Sequence, residues 1–105
     1  MARKSIDPSS VGEIGARLAL TRRALGYTQA TMSTLMGSTT AGQAFANYEA
    51  GARRISLDHA LVLCRTCGLT LAWIYQGQMD TLPPHIREKI LIARRAQQTT
   101  FKSTA

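Results

Sequence analysis

The chain has 105 residues, with thirteen Lys and Arg against six Asp and Glu, a formal net charge of +7 and an isoelectric point near 10.3. That length supports one hydrophobic core and hardly two domains, and the charge favours a polyanionic partner: DNA, RNA or an anionic membrane surface. No run approaches the roughly 18 apolar residues that a membrane span needs, and the polar N-terminal segment lacks the apolar core of a secretory signal. Two cysteines without such a signal imply a reducing cytoplasm and free thiols.

Helix formers outnumber strand formers, so the elements read as helices and the fold class as all-α. Residues 1–9 read as a flexible N-terminal arm. Ser10 and Glu13 have the spacing of a capping box. Val11, Ile14, Leu18, Ala19 and Leu25 then recur near helical spacing, and Gly26 closes this first helix. Thr28 caps a short second helix over 29–36, with Ala30, Leu35 and Met36 inward, Met32 nearby and Gly37 at its end. Residues 37–42 form a turn by composition. A third helix runs over about 41–50, with Phe45 and Tyr48 on one face, and Gly51 stops it.

A basic connection over 52–55 leads to Ser56, which caps a fourth helix with Asp58 in its first turn. Leu57, Leu61, Cys64 and Cys67 supply its inward stripe, and Gly68 ends it. Thr70 opens a fifth helix through Trp73 and Ile74 to Gly77. Leu82, Pro83 and Pro84 break the pattern. A last helix spans 84–97, with Ile86, Ile90 and Ala93 as its stripe and Arg87, Lys89, Arg94 and Arg95 elsewhere on its surface. The domain thus spans 10–78, the helix within 79–97 is a candidate dimerisation element, and 98–105 reads as a disordered tail.

Little in the chain suggests catalysis or metal binding. Cys64 and Cys67 have CxxC spacing, but there is no second cysteine pair, and His59 and His85 lie outside the spacing of a zinc site. Their position on an apolar stripe favours core thiols. Paired carboxylates, a glycine-rich phosphate loop and a nucleophile with His and acid partners are all missing. The expectation is therefore no enzyme, no catalytic residue, no metal, no cofactor and no small-molecule substrate. RNA is less favoured than DNA as partner, because exposed aromatic platforms for unpaired bases are few.

Six fragments, in order, resemble one family. They are Arg17 and Leu18; Gly26 to Gln29; Leu35 to Gly37; Phe45 to Gly51; Ser56 to Leu61; and Leu69 to Ile74. Residues 14–77 thereby resemble the Cro/repressor-type helix-turn-helix domains, the xenobiotic-response-element family of bacterial and phage regulators. The turn around 38–40 is longer here than is usual in that family, and Gly42 is a weak helix former where the family often reads DNA.

The resemblance implies a compact five-helix lambda-repressor-like domain, with the final helix as an addition. Its recognition helix, over about 41–50, would enter the major groove. Gly42, Gln43, Ala46 and Asn47 would contact bases; Gln and Asn can each pair with adenine, and Ala can touch a thymine methyl. Thr28, Gln29, Thr40, Arg53, Arg54 and Arg17 would contact phosphates, the first two at a helix N-terminus that attracts anions. Arg17 has a second implied role, pairing with Glu49. Such domains act as cytoplasmic transcriptional regulators, commonly repressors, and as homodimers on palindromic operators. The last helix, with Leu71, Ile74 and Tyr75, would supply the dimer surface, unless Ile86 and Ile90 fold back on their own core. The alternative to DNA is a protein-interaction module, such as an antitoxin or adaptor binding a protein partner.

Overall fold

Six α-helices and one 3-10 turn follow one another among the described residues, with no strand between them: α1 Val11–Leu25, α2 Gln29–Leu35, α3 Gln43–Glu49, α4 Leu57–Cys67, α5 Leu71–Gln76, the 3-10 turn Met79–Thr81 and α6 Pro84–Ser103. The computed structural model describes residues 7–39 and 42–103, and of 99–103 the backbone alone. The radius of gyration is 13.8 Å, slightly above the ~13 Å expected of a compact chain this long.

Helix starts are set locally. Ser10, Thr28, Ser56 and Thr70 each adopt an extended backbone, and each side chain accepts the backbone N–H three residues on. That satisfies one of the donors every helix start leaves unpaired. Gly26, Gly68 and Gly77 close α1, α4 and α5 in the left-handed conformation.

Helix α1 is the centre of the packing, with α3, α5 and α6 against it. Trp73, Phe45, Ile14, Leu18, Met32, Met36, Leu63, Ile74 and Ile90 are wholly buried. Two buried hydroxyls fix how helices meet. Trp73 Nε1 donates to Thr21 Oγ1 at 3.0 Å, and that hydroxyl donates to the Arg17 carbonyl at 2.7 Å. The backbone N–H of Phe45 donates to Ser33 Oγ at 3.3 Å, pinning the start of α3 to α2. Neither buried group is left unpaired, which would cost about 1–3 kcal/mol each.

Gly15 makes the crossing of α1 and α3 possible. A Cβ there would stand 2.4 Å from the carbonyl oxygen of Tyr48 and 2.7 Å from that of Glu49. Both are backbone atoms that cannot swing away, so no larger residue fits without a shift.

Several expectations need correction. Ala30 is exposed, and the buried side chains of α2 are Met32 and Ser33, with Met36 just beyond. Helix α4 is rotated from the expected stripe: Ala60, Leu63 and Cys67 face the core, Cys64 is half-buried, and Leu57 and Leu61 are exposed. Ile86 and Ile90 are buried, so the apolar face of α6 packs on its own domain instead of waiting for a second copy. Ile74 is buried as well, and Leu71 and Tyr75 are half-buried. The chain expected to be disordered from residue 98 stays helical to Ser103, and 104–105 lie outside the described residues. No helix among the described residues is long and apolar enough to cross a membrane.

Candidate nucleic-acid interface

Helix α3 is short and held at three points. Phe45 and Tyr48 are buried on its inner side. Ser33 holds its first turn, as above. At its C-terminal end Glu49 collects donors from two other helices: Arg22 Nε reaches Oε2 at 2.6 Å, and Gln29 Nε2 reaches Oε1 at 2.9 Å. A carboxylate only accepts, so the Gln29 amide must present its NH2 group there. Arg22 also donates to the Tyr27 carbonyl at 3.1 Å, across the link between α1 and α2. These contacts tie both ends of α3 to α1 and α2.

The outer side of α3 carries polar side chains. Gln43 is exposed and Asn47 half-buried, one turn apart, with Gln43 Nε2 donating to Asn47 Oδ1 at 3.3 Å. Ala46 lies beside them, half-buried. Sequence reasoning placed these three outward, and they do stand together on one face. Gly42 differs from its expected role. It is the left-handed N-cap of α3, with φ 101°, and it is buried. A Cβ on it would come within 3.3 Å of the Ala30 backbone. It caps α3 against α2, and its burial sets it apart from the three outward residues.

A cleft of about 300 Å³ opens next to this face, lined by Ser38, Gln43, Ala44, Asn47, Tyr48, Arg53 and His59. Tyr48 Oη and His59 Nδ1 are 2.8 Å apart, with the rings edge to face at 5.9 Å. His59 thus braces α3 from α4, a role the sequence did not suggest. Its position three residues after the Ser56 cap was the available sign, since that places it in the first turn of α4.

The expected phosphate contacts fall into two groups. Thr28 and Gln29 lie at the start of α2, Arg53 lines the cleft beside Gln43 and Asn47, and Arg54 follows it in the chain. Thr28 is exposed and its Oγ1 accepts from the Thr31 N–H at 3.1 Å. Arg53 is exposed, and Arg54, also exposed, donates to the Ser9 carbonyl. Thr40 lies outside the described residues, as does Ala41.

Arg17 belongs elsewhere. Its guanidinium donates to the carbonyls of Pro8 and, at 3.1 Å, Ile74, and lies 5.9 Å from the centre of the Trp73 ring. Burial pulls its pKa below the ordinary value, with Glu13 partly opposing. Its Nε is buried and lacks a hydrogen-bond partner. It straps the start of the domain to α5, and the partner of Glu49 is Arg22, one turn or so further along α1. Of the arm expected over 1–9, residues 1–6 lie outside the described residues. Residues 7–10 form a turn, with the Ser10 N–H donating to the Asp7 carbonyl at 3.0 Å. Both thiols are free, and burial pushes each upward.

Comparison with protein-family models, with curated proteins and with solved structures finds no match to this chain.

Proposed function

We propose that the chain binds double-stranded DNA in a sequence-dependent manner, as a small transcriptional regulator that represses by occupying its operator. In this reading α2 and α3 form a lambda-repressor-like helix-turn-helix, with α3 in the major groove. The observation that carries it is the outer face of α3. Gln43 and Asn47 project from a helix braced at both ends, with exposed Arg53 beside them, in a chain of net charge +7. The major groove is about 12 Å wide and admits one α-helix, and Gln and Asn suit the paired donor and acceptor of adenine. Ala46 is positioned for an apolar contact such as a thymine methyl.

Thr28, Gln29, Arg53 and Arg54 would hold the domain on the phosphates. Gln29 then acts with the one amide hydrogen that remains, the other being committed to Glu49. One domain of this size makes few contacts, so two copies on a palindromic operator in the cytoplasm complete the reading.

Titration of labelled duplexes across a salt series tests it. Binding should weaken with rising salt, log K against log salt having a slope of about −0.9 for each phosphate neutralised. Failure to bind duplex at low salt, or equal preference for single strands, would contradict it.

A further inference from the structure

Helix α4 carries more apolar residues than its own core uses. Ala60, Leu63 and Cys67 face inward, yet Leu57 and Leu61 are 55 % and 38 % exposed. Four residues apart, they stack on one side of the helix, and half-buried Cys64 continues the strip. Asp58 and Arg65 are both exposed. Seven residues apart, or about two turns, they share one flank of that strip. The acid stands near the start of the helix and the base near its end.

We propose that this strip is where two copies of the chain meet, their α4 helices antiparallel about a two-fold axis beside Leu61. A two-fold axis sets a surface against itself in reverse order. Leu61 then meets Leu61 of the other copy, and Leu57 covers the other copy's Cys64. Asp58 comes opposite Arg65, twice. The charges pair in this arrangement; about a two-fold parallel to the helices the two flanks would fall on opposite sides of the seam, and Asp58 and Arg65 could not meet across it. In a chain of net charge +7, two copies repel across most of their surfaces, and this strip is bordered by opposite charges.

Among the described residues the other exposed large apolar side chains are Tyr27, in the link between α1 and α2, and Ile92, on α6. His59, which contacts Tyr48 of α3, lies about 160–200° around α4 from Leu57 and Leu61. Pairing through the strip therefore leaves α3 uncovered. The strip is short, so association in solution is weak, as in small transient interfaces. This inference deepens the DNA-binding reading in one respect only, by naming where two copies on adjacent half-sites would touch; the pairing itself needs no DNA.

Sedimentation equilibrium of the full chain, free of nucleic acid, from about 10 µM to about 1 mM, tests it in the range of weak association. The expected result is a reversible monomer–dimer equilibrium. Asp58→Arg and Arg65→Asp should each raise Kd about tenfold, because each turns two attractions into two repulsions. The double variant should return Kd to within about threefold of the starting chain, as the cycle of coupled charges requires. Arg65→Asp is the sharper arm: it lowers net charge, so general repulsion would predict tighter association. Arg23→Asp, exposed on α1, makes the same charge change away from the strip and should not raise Kd. Monomers throughout the range, a single reversal no different from Arg23→Asp, or a double variant that stays weakened would each overturn the proposal.

Discussion

The Glu49 carboxylate joins three helices at one point, taking the Arg22 guanidinium of α1 at 2.6 Å and the Gln29 amide of α2 at 2.9 Å while sitting on the last turn of α3. Both carboxylate and guanidinium are largely shielded. Removing the acceptor strands a cation and an amide together. Glu49→Ala should therefore cost about 1–3 kcal/mol, the usual penalty for unpaired, partly buried polar groups. Chemical denaturation reads this as a lower midpoint with an unchanged slope. A change under half a kilocalorie would show that α3 does not depend on this junction.

Two glycines on one helix separate crowding from propensity. At Gly15 a methyl group would press on the Tyr48 and Glu49 carbonyls, and at Gly12 it would meet nothing within 4 Å. Gly15→Ala should destabilise by about 1–3 kcal/mol or more, as overpacking does. Gly12→Ala should stabilise by about 0.5–1 kcal/mol, since alanine suits an exposed helix better. Thermal melts of the two variants should move in opposite directions.

Alkaline pH should weaken the fold. Burial raises the Cys64 and Cys67 thiols above their ordinary 9.0 and the Tyr75 phenol above its ordinary 10.0. Tyr75 also donates to the Ile55 carbonyl at 2.8 Å, a bond its ionised form cannot make. Between the ordinary and the raised values the unfolded chain has lost protons that the native chain keeps. Their contribution is thus complete below about pH 9 and declines as pH rises beyond it. Free energies of unfolding from about pH 8 to about pH 10.5 should fall, and Cys64→Ala should fall less steeply. A flat profile would contradict the burial of these groups.

Arg53 should act through phosphate alone. Arg53→Ala should weaken binding to every duplex alike and reduce the magnitude of the salt slope by about one. An altered sequence preference in this variant would move Arg53 to the base-reading set.

Much of the architecture was legible because it is local. The four N-caps and the glycine stops are short-range chemistry, and each can be read from three or four neighbouring residues. The face of α4 was not legible. Leu57, Leu61 and Cys64 make as good a stripe as Ala60, Leu63 and Cys67, and only the packing against α2 and α5 selects the second. Arg17 and Arg22 posed the same difficulty: both lie on α1, and the ends of α2 and α3 decide which one Glu49 meets. Gly15 gave no sign at all, because its requirement comes from two carbonyls more than thirty residues away in the chain. Gln43, Ala46 and Asn47 could be placed outward from Phe45 and Tyr48 by helical spacing. Gly42 could not be removed from that group until its contact with Ala30 was known.

The most direct test of the account is selection of bound duplexes from a random pool, run in parallel with the natural chain and with Gln43→Ala and Asn47→Ala. The natural chain should enrich a palindrome that persists near physiological salt, and each variant should lose discrimination at one base position per half-site, worth about 1–3 kcal/mol. No enrichment for the natural chain, or an identical motif from all three proteins, would contradict the claim that the outer face of α3 reads DNA.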